Sequence, residues 1–428
     1  MLPANTDVPG SGALARIREY AESRWLGKRF SGQFWVFFSA AFLYDFGFGL
    51  YFFLFNLFLA NLHYMENILG LVTGALTMGN VAGSIPASLL ARRFGLQKTL
   101  LVGFVAAPLI CILRTLIFWM PAQIGLAFLA GFALSTWTVC FSPTVARLTT
   151  EENRVSGFSI VFATGIGSGT LAGLVGGYLP ELLKATSRAP QLADNIRVVL
   201  LVACGVTMLG IVPILRLRLG PAERAEKRTS RLVHPFLYRF LPPFFLWSAV
   251  TGSFTPFAAV YLQRHLKIPL TNVGVIFSAS QLAQLAGALL APYFFRKLGT
   301  VVGIMCMQLA TAVSVFALGC TQNIHASVLF YLGFVSFQFM SGPGIYSLLM
   351  SRLPDEDRSA ASAIQNMTGA LSHAGVAVIT GIMLVKYGYP KVLAGNAGVA
   401  VAAALLLFLL LRSVNRQPMP SAQVVEMG

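Results

Sequence analysis

The sequence predicts an all-α integral membrane protein of twelve transmembrane helices in two six-helix pseudo-repeats. Three observations carry this expectation. Of the 428 residues, 56% are hydrophobic and 11% charged, whereas a soluble domain is about 25% charged, so water is not the main solvent. Apolar runs of about 20 residues, the length that crosses a bilayer, fill nearly the whole chain; lipid offers the backbone no partners, so each run must be a helix. Finally, the chain repeats itself. Ala82–Gly95 (AGSIPASLLARRFG) returns as Ala286–Gly299 (AGALLAPYFFRKLG), displaced by 204 residues and identical at five of fourteen positions. At the same displacement Glu152, Arg154, Thr164, Gly165, Ser168 and Gly177 meet Glu356, Arg358, Thr368, Gly369, Ser372 and Gly381. Two separated matches at one long period mark a duplicated half.

The spans fall at 35–60, 68–91, 98–119, 123–146, 155–180, 196–215, 241–264, 271–295, 300–320, 326–349, 359–385 and 390–411. Helical spacing puts Phe38, Ala41, Asp45, Gly49, Phe52 and Asn56 on one face of the first. Asp45 lies about 15 Å in, at 1.5 Å per residue, hence mid-bilayer. An ionised carboxylate there costs about 3 kcal/mol on insertion scales, and intramembrane acids are functional candidates for that reason. A carboxyl that sheds and regains a proton is what a proton-coupled carrier needs; the alternative is a structural aspartate. Arg114, near the outer end of the third span, either snorkels to the headgroups or pairs with Asp45 across a height difference of about 9 Å.

The second span gathers Thr73, Thr77, Asn80 and Ser84 in one arc, and the eighth answers with Gln281 and Gln284. Such arcs face protein or a water-filled cavity rather than lipid, and packing hydrogen bonds explain them as well as a solute path does. The fifth span carries Gly165, Gly169, Gly173 and Gly177 at intervals of four, a ridge on which another backbone can lie closely. The eleventh repeats it as Gly369, His373, Ala377 and Gly381, with Asn366 on the same face. His373 either fills a gap or senses protons. The proton-coupling candidates are thus Asp45 and His373, and the solute-cavity candidates Phe52, Asn56, Thr77, Asn80, Gln281, Gln284 and Asn366.

Lys and Arg divide 23 to 7 between the two faces, with Arg114 inside a span. The positive-inside rule then puts both termini in the cytoplasm, and a cell (inner) membrane is the expected location. This distribution also accounts for the net charge of +16 without a nucleic-acid partner. The expected division is a cytoplasmic segment 1–34, a half 35–215, a basic linker 216–240 lying near anionic headgroups, a half 241–411 and a cytoplasmic tail 412–428. The outer loop 181–195 is expected to exceed its counterpart near 386–389. The five cysteines all lie in apolar runs with no metal-binding spacing, so neither metal nor cofactor is expected. On the cytoplasmic side acids precede the fifth and eleventh spans, favouring the helix dipole. They also suit a latch of Glu152 with Arg92 or Arg93 and Glu356 with Arg296 or Lys297, beside Arg154 and Arg358.

Twelve spans in two halves, a basic middle loop and a short RR-x-G loop resemble the major facilitator superfamily over residues 35–411. The family's loop signature reads approximately G-x-L-A-D-R-x-G-R-R/K. Here Leu90, Ala91, Arg93 and Gly95 agree, Arg92 stands at the acidic position, and Lys98 follows. Phe128 stands near the place of a family arginine in the fourth span, and Ala172–Gly177 echoes the antiporter G-P-x-x-G-G without its proline. The resemblance implies a secondary transporter that moves a small organic solute by alternating access around a midplane site. Proton coupling through Asp45 is the sharper form of that expectation. The alternatives are a passive uniporter and a non-transporting receptor or scaffold on the same fold. Enzymatic chemistry has no motif in its favour. The expected partners are a small-molecule solute, protons and lipid, and the protein is expected to be monomeric.

Overall fold

Once apolar runs are confined to helices, the places where the chain turns decide the architecture. The computed structural model describes residues 30–186, 191–219 and 234–412, without the side chains of Val155, Ala185, Thr186, Asp355, Glu356 and Ser359. Segment 1–34, most of linker 216–240 and tail 412–428 therefore lie largely outside the described residues. The helices are α1 (Gly32–Asn61), α2 (Glu66–Phe94), α3 (Leu96–Leu116), α4 (Met120–Leu148), α5 (Arg154–Thr186) and α6 (Leu192–Arg216). Then come α7 (Pro235–His265), α8 (Leu270–Leu298), α9 (Thr300–Cys320) and α10 (Ile324–Ser351). A last helical stretch, Asp355–Leu411, breaks at Gly388 (φ 74°, ψ 168°), giving α11 (355–387) and α12 (389–411). The chain thus crosses twelve times, and no strand occurs among the described residues.

Gly95 and Gly299, 204 residues apart, have φ of 89° and 78°, a conformation L side chains rarely adopt. Each ends one helix and starts the next without a loop. The internal repeat of the sequence is therefore also a repeat of turn geometry. Two expected boundaries move. Pro180 sits inside α5 instead of ending it, so α5 runs on to Thr186 and α6 begins at Leu192, both inside the outer loop expected at 181–195. Proline is tolerated within a membrane helix when neighbours and local adjustments satisfy the freed groups. The linker also ends earlier than expected. His234 accepts a 3.2 Å hydrogen bond from the Phe236 amide, Pro235 occupies the first turn, and Phe236, Leu237 and Phe240 are buried.

The halves meet in two related crossings, α2 on α11 and α5 on α8. Gly70 lies against Ala377 and Gly381, and Gly274 against Gly173 and Gly177. Adding 204 to 70, 173 and 177 gives 274, 377 and 381, so the second contact is the duplicate of the first. The approach is close: a Cβ on Gly274 would stand 2.6 Å from the Gly177 Cα. Both crossings lie near the N-terminal ends of α2 and α8, far from Arg92, Arg93, Arg296 and Lys297 at the other ends of those helices. The two ends of the bundle are called the far end and the basic end below.

Polar ties reinforce the far end. Asn61 Nδ2 donates to Gln263 Oε1 at 3.1 Å, and Tyr389 donates to Glu66 Oε1 at 3.2 Å. The Arg264 guanidinium donates to the carbonyls of Tyr64, at 3.0 Å, and Ala60. α7 changes pitch here, through a 3₁₀ turn at Thr255–Phe257, a short α stretch and a π turn at Tyr261–His265. At that change the Pro256 carbonyl accepts from Asn56 Nδ2 at 2.8 Å.

Candidate solute path

Closing the far end leaves three cavities in series. The first, about 720 Å³, opens at the basic end between α2, α4 and α11, with Ser88, Arg92, Thr138 and Asn366 in its wall. It shares Asn366 and Ala370 with a cavity of about 450 Å³ bounded by α7, α10 and α11. That cavity shares Gln338 and Phe339 with one of about 480 Å³ next to the far end. The last takes walls from both halves: Phe52, Phe53 and Asn56 on α1, Arg114 on α3, Phe277, Gln281 and Gln284 on α8.

The polar side chains of this path are mostly occupied. In α2 the Thr77 hydroxyl donates to the Thr73 carbonyl at 3.0 Å, while Asn80 reaches the Gly131 carbonyl at 3.5 Å. Thr77 borders the 450 Å³ cavity and Asn80 the 720 Å³ cavity. Gln284 Nε2 donates to Gln281 Oε1 at 2.8 Å. Asn366 Oδ1 lies 3.4 Å from the Tyr346 hydroxyl. His373 Nε2 lies 2.8 Å from Thr251 Oγ1, with its ring against Gly252. Asn56, as noted, ties the halves together.

Two placements differ from expectation. Arg114 neither snorkels nor pairs with Asp45. It is 1% exposed, and its guanidinium carbon lies 4.1 Å from the centre of the Phe55 ring. Tyr51, fully buried, donates to the Cys111 carbonyl at 3.1 Å and ties α1 to α3. Asp45 instead faces α5, where a Cβ on Gly165 would stand 3.5 Å from its Oδ2, and it lines none of the three cavities.

The sequence profile described as Major Facilitator Superfamily matches residues 37–377. This chain belongs to the major facilitator superfamily. As a member it is a multi-pass membrane transporter. No curated protein sequence matches it. Its fold is similar to a bacterial homologue of the human lysosomal transporter Spinster, inward-facing and unoccupied, with TM-score 0.75 and 12% identity over 91% of this chain and 99% of that one. The nucleoside transporter NupG follows with TM-score 0.72 and 14% identity over 89% and 100%. The D-xylose–proton symporter has TM-score 0.72 and 17% identity over 88% and 97%. Identities this low show a shared fold alone.

In this superfamily member the latch candidates are spread along the basic end. Arg92 borders the 720 Å³ cavity. Arg93 lies over the Phe94 ring at 5.3 Å and Lys297 over the Tyr293 ring at 4.7 Å. Arg358 Nε donates to the carbonyls of Met350 and Leu353 at 2.9 and 3.2 Å, closing the end of α10 within its own half. Glu152, Arg154 and Arg296 are exposed, and the Glu356 side chain lies outside the described ones. Residues that sequence reasoning missed include Thr251, Gln338 and Gln365, which border the 450 Å³ cavity. The Oε1 atoms of Gln338 and Gln365 are buried without partners. A glutamine inside an apolar run was the available signal for both.

Proposed function

We propose that this transporter moves a small organic solute by alternating access, with residues 35–215 and 241–411 as the two moving halves and 216–240 as their tether. What supports the reading is one end sealed by duplicated glycine crossings while three cavities lead in from the other. Taking the basic end as cytoplasmic by the charge asymmetry, the conformation is inward-open and both termini are cytoplasmic. The solute passes Arg92, Asn80 and Asn366, then Thr77 and His373, and reaches Asn56, Phe52, Gln281 and Gln284. Asp45, midway along α1 and making no hydrogen bond or ion pair among the described residues, carries the coupled proton. Passive uniport is the second reading, favoured by the position of Asp45 away from the cavities.

Proteoliposomes holding a pH-sensitive dye test this against a panel of organic solutes. Solutes that cross are expected to change the internal pH. Asp45→Asn is expected to abolish accumulation driven by a pH gradient while sparing solute exchange at equal concentrations. Uphill transport by Asp45→Asn removes the coupling role and leaves uniport. A panel in which nothing crosses removes the transport reading.

A further inference from the structure

The 480 Å³ cavity has one charged residue among those lining it, Arg114. A guanidinium does not lose its proton in a protein, so the charge is permanent. It is 1% exposed, its Nε and Nη1 are buried without a hydrogen-bond partner, and a polar side chain in contact with it is the uncharged Cys111 thiol. The Phe55 ring offers a cation–π contact at 4.1 Å, which offsets part of the desolvation. No carboxylate pairs with it among the described residues, since Asp45 faces Gly165 on α5. A buried charge left without its partner is strongly destabilising, and costs of this kind are expected at functional or strained sites. The rest of the wall is uncharged, with the amides of Asn56, Gln281 and Gln284 and the rings of Phe52, Phe53 and Phe277.

We infer that the solute is a small organic monoanion whose carboxylate pairs with Arg114 while its apolar body lies against Phe52, Phe53 and Phe277. This rests on the reading of the cavity as a solute path. A guanidinium is the side chain best matched to a planar carboxylate. A single cation matches a single negative charge; a polyanion would leave further charge unpaired. A neutral or weakly basic solute would leave Arg114 unmatched.

The test uses the full chain in detergent, with benzoate, 3-phenylpropionate and octanoate set against the corresponding amides in thermal-shift titrations. A ligand bound only by the folded state raises the apparent melting temperature. At least one carboxylate is expected to stabilise the wild type at a concentration at least ~10-fold below its amide, as a charge-assisted bond implies. Arg114→Gln is expected to lose that preference. Its ligand-free melting temperature is expected to equal or exceed that of the wild type, because an unpaired buried charge has gone. Arg114→Lys keeps the charge and is expected to retain a weaker preference. The inference is overturned if no carboxylate stabilises the wild type, if acid and amide act equally, or if Arg114→Gln keeps the preference. A lower ligand-free melting temperature, or failure to fold, in Arg114→Gln marks a structural cation and also overturns it. Vesicle uptake separates the two readings. Neutral members that cross while no carboxylate does refute the anion and leave the transporter standing. Carboxylate binding that depends on Arg114, with no member of the panel crossing, refutes transport and leaves the subsite.

Discussion

Residue by residue, what an intramembrane polar group does depends on what stands opposite it. His373 takes the place of Gly169 in the repeat, and its ring packs so closely that a Cβ on Gly252 would stand 2.7 Å from Cδ2. With its bond to Thr251, the ring fills a gap between α7 and α11 inside one half. His373→Gln is therefore expected to fold, to keep a polar atom near Thr251 and to leave the pH profile of solute uptake unchanged. A shifted profile would return His373 to the proton path. The same dependence on neighbours limits what the chain discloses by itself. Asn56 and Arg114 stand out as polar residues in apolar runs, so both were legible as candidates, although the chain left Arg114 between the headgroups and a pair with Asp45. Their partners were not, because the Pro256 carbonyl and the Phe55 ring carry no pattern. Thr251 was missed because a lone hydroxyl in a membrane helix ordinarily bonds its own turn, as it does here to the Ser248 carbonyl at 3.0 Å.

Among elements, the glycine ridge was legible in its spacing but silent about which helix it met. The duplication supplies that answer in retrospect, because the two crossings repeat each other at a displacement of 204. Gly274→Val puts a branched side chain where even a Cβ would stand 2.9 Å from the Gly177 amide nitrogen. The α5–α8 crossing then has to part at the far end, or the fold loses about 1–3 kcal/mol to overpacking. The expected outcome is a shift toward a bundle closed at the basic end. A cysteine placed at Ser88, in the 720 Å³ cavity, is then labelled more slowly by a water-soluble thiol reagent. Unchanged labelling with lowered stability would mean that the crossing does not govern the opposite end. Gly70→Val, at the duplicate crossing, is expected to act in the same direction.

Across the whole molecule, alternating access requires the far end to come apart. A short, reducible thiol-to-thiol cross-linker joining Asn61→Cys to Gln263→Cys, whose present side chains meet at 3.1 Å, is expected to stop transport until it is reduced. The background for this test also replaces Cys320, which is exposed. Full activity of the cross-linked pair would show that these helices do not separate. Class, duplication and span order were legible at this scale because hydropathy and period are properties of long segments. The extent of the connections was not, since Pro180 lies within a helix and Pro235 begins one. At the far end the described connections between helices are 62–65, 117–119, 266–269, 321–323 and Gly388. An antibody or protease arriving from that side meets turns of four residues or fewer at these connections. These turns leave such a protein little backbone to grip or cut on that side.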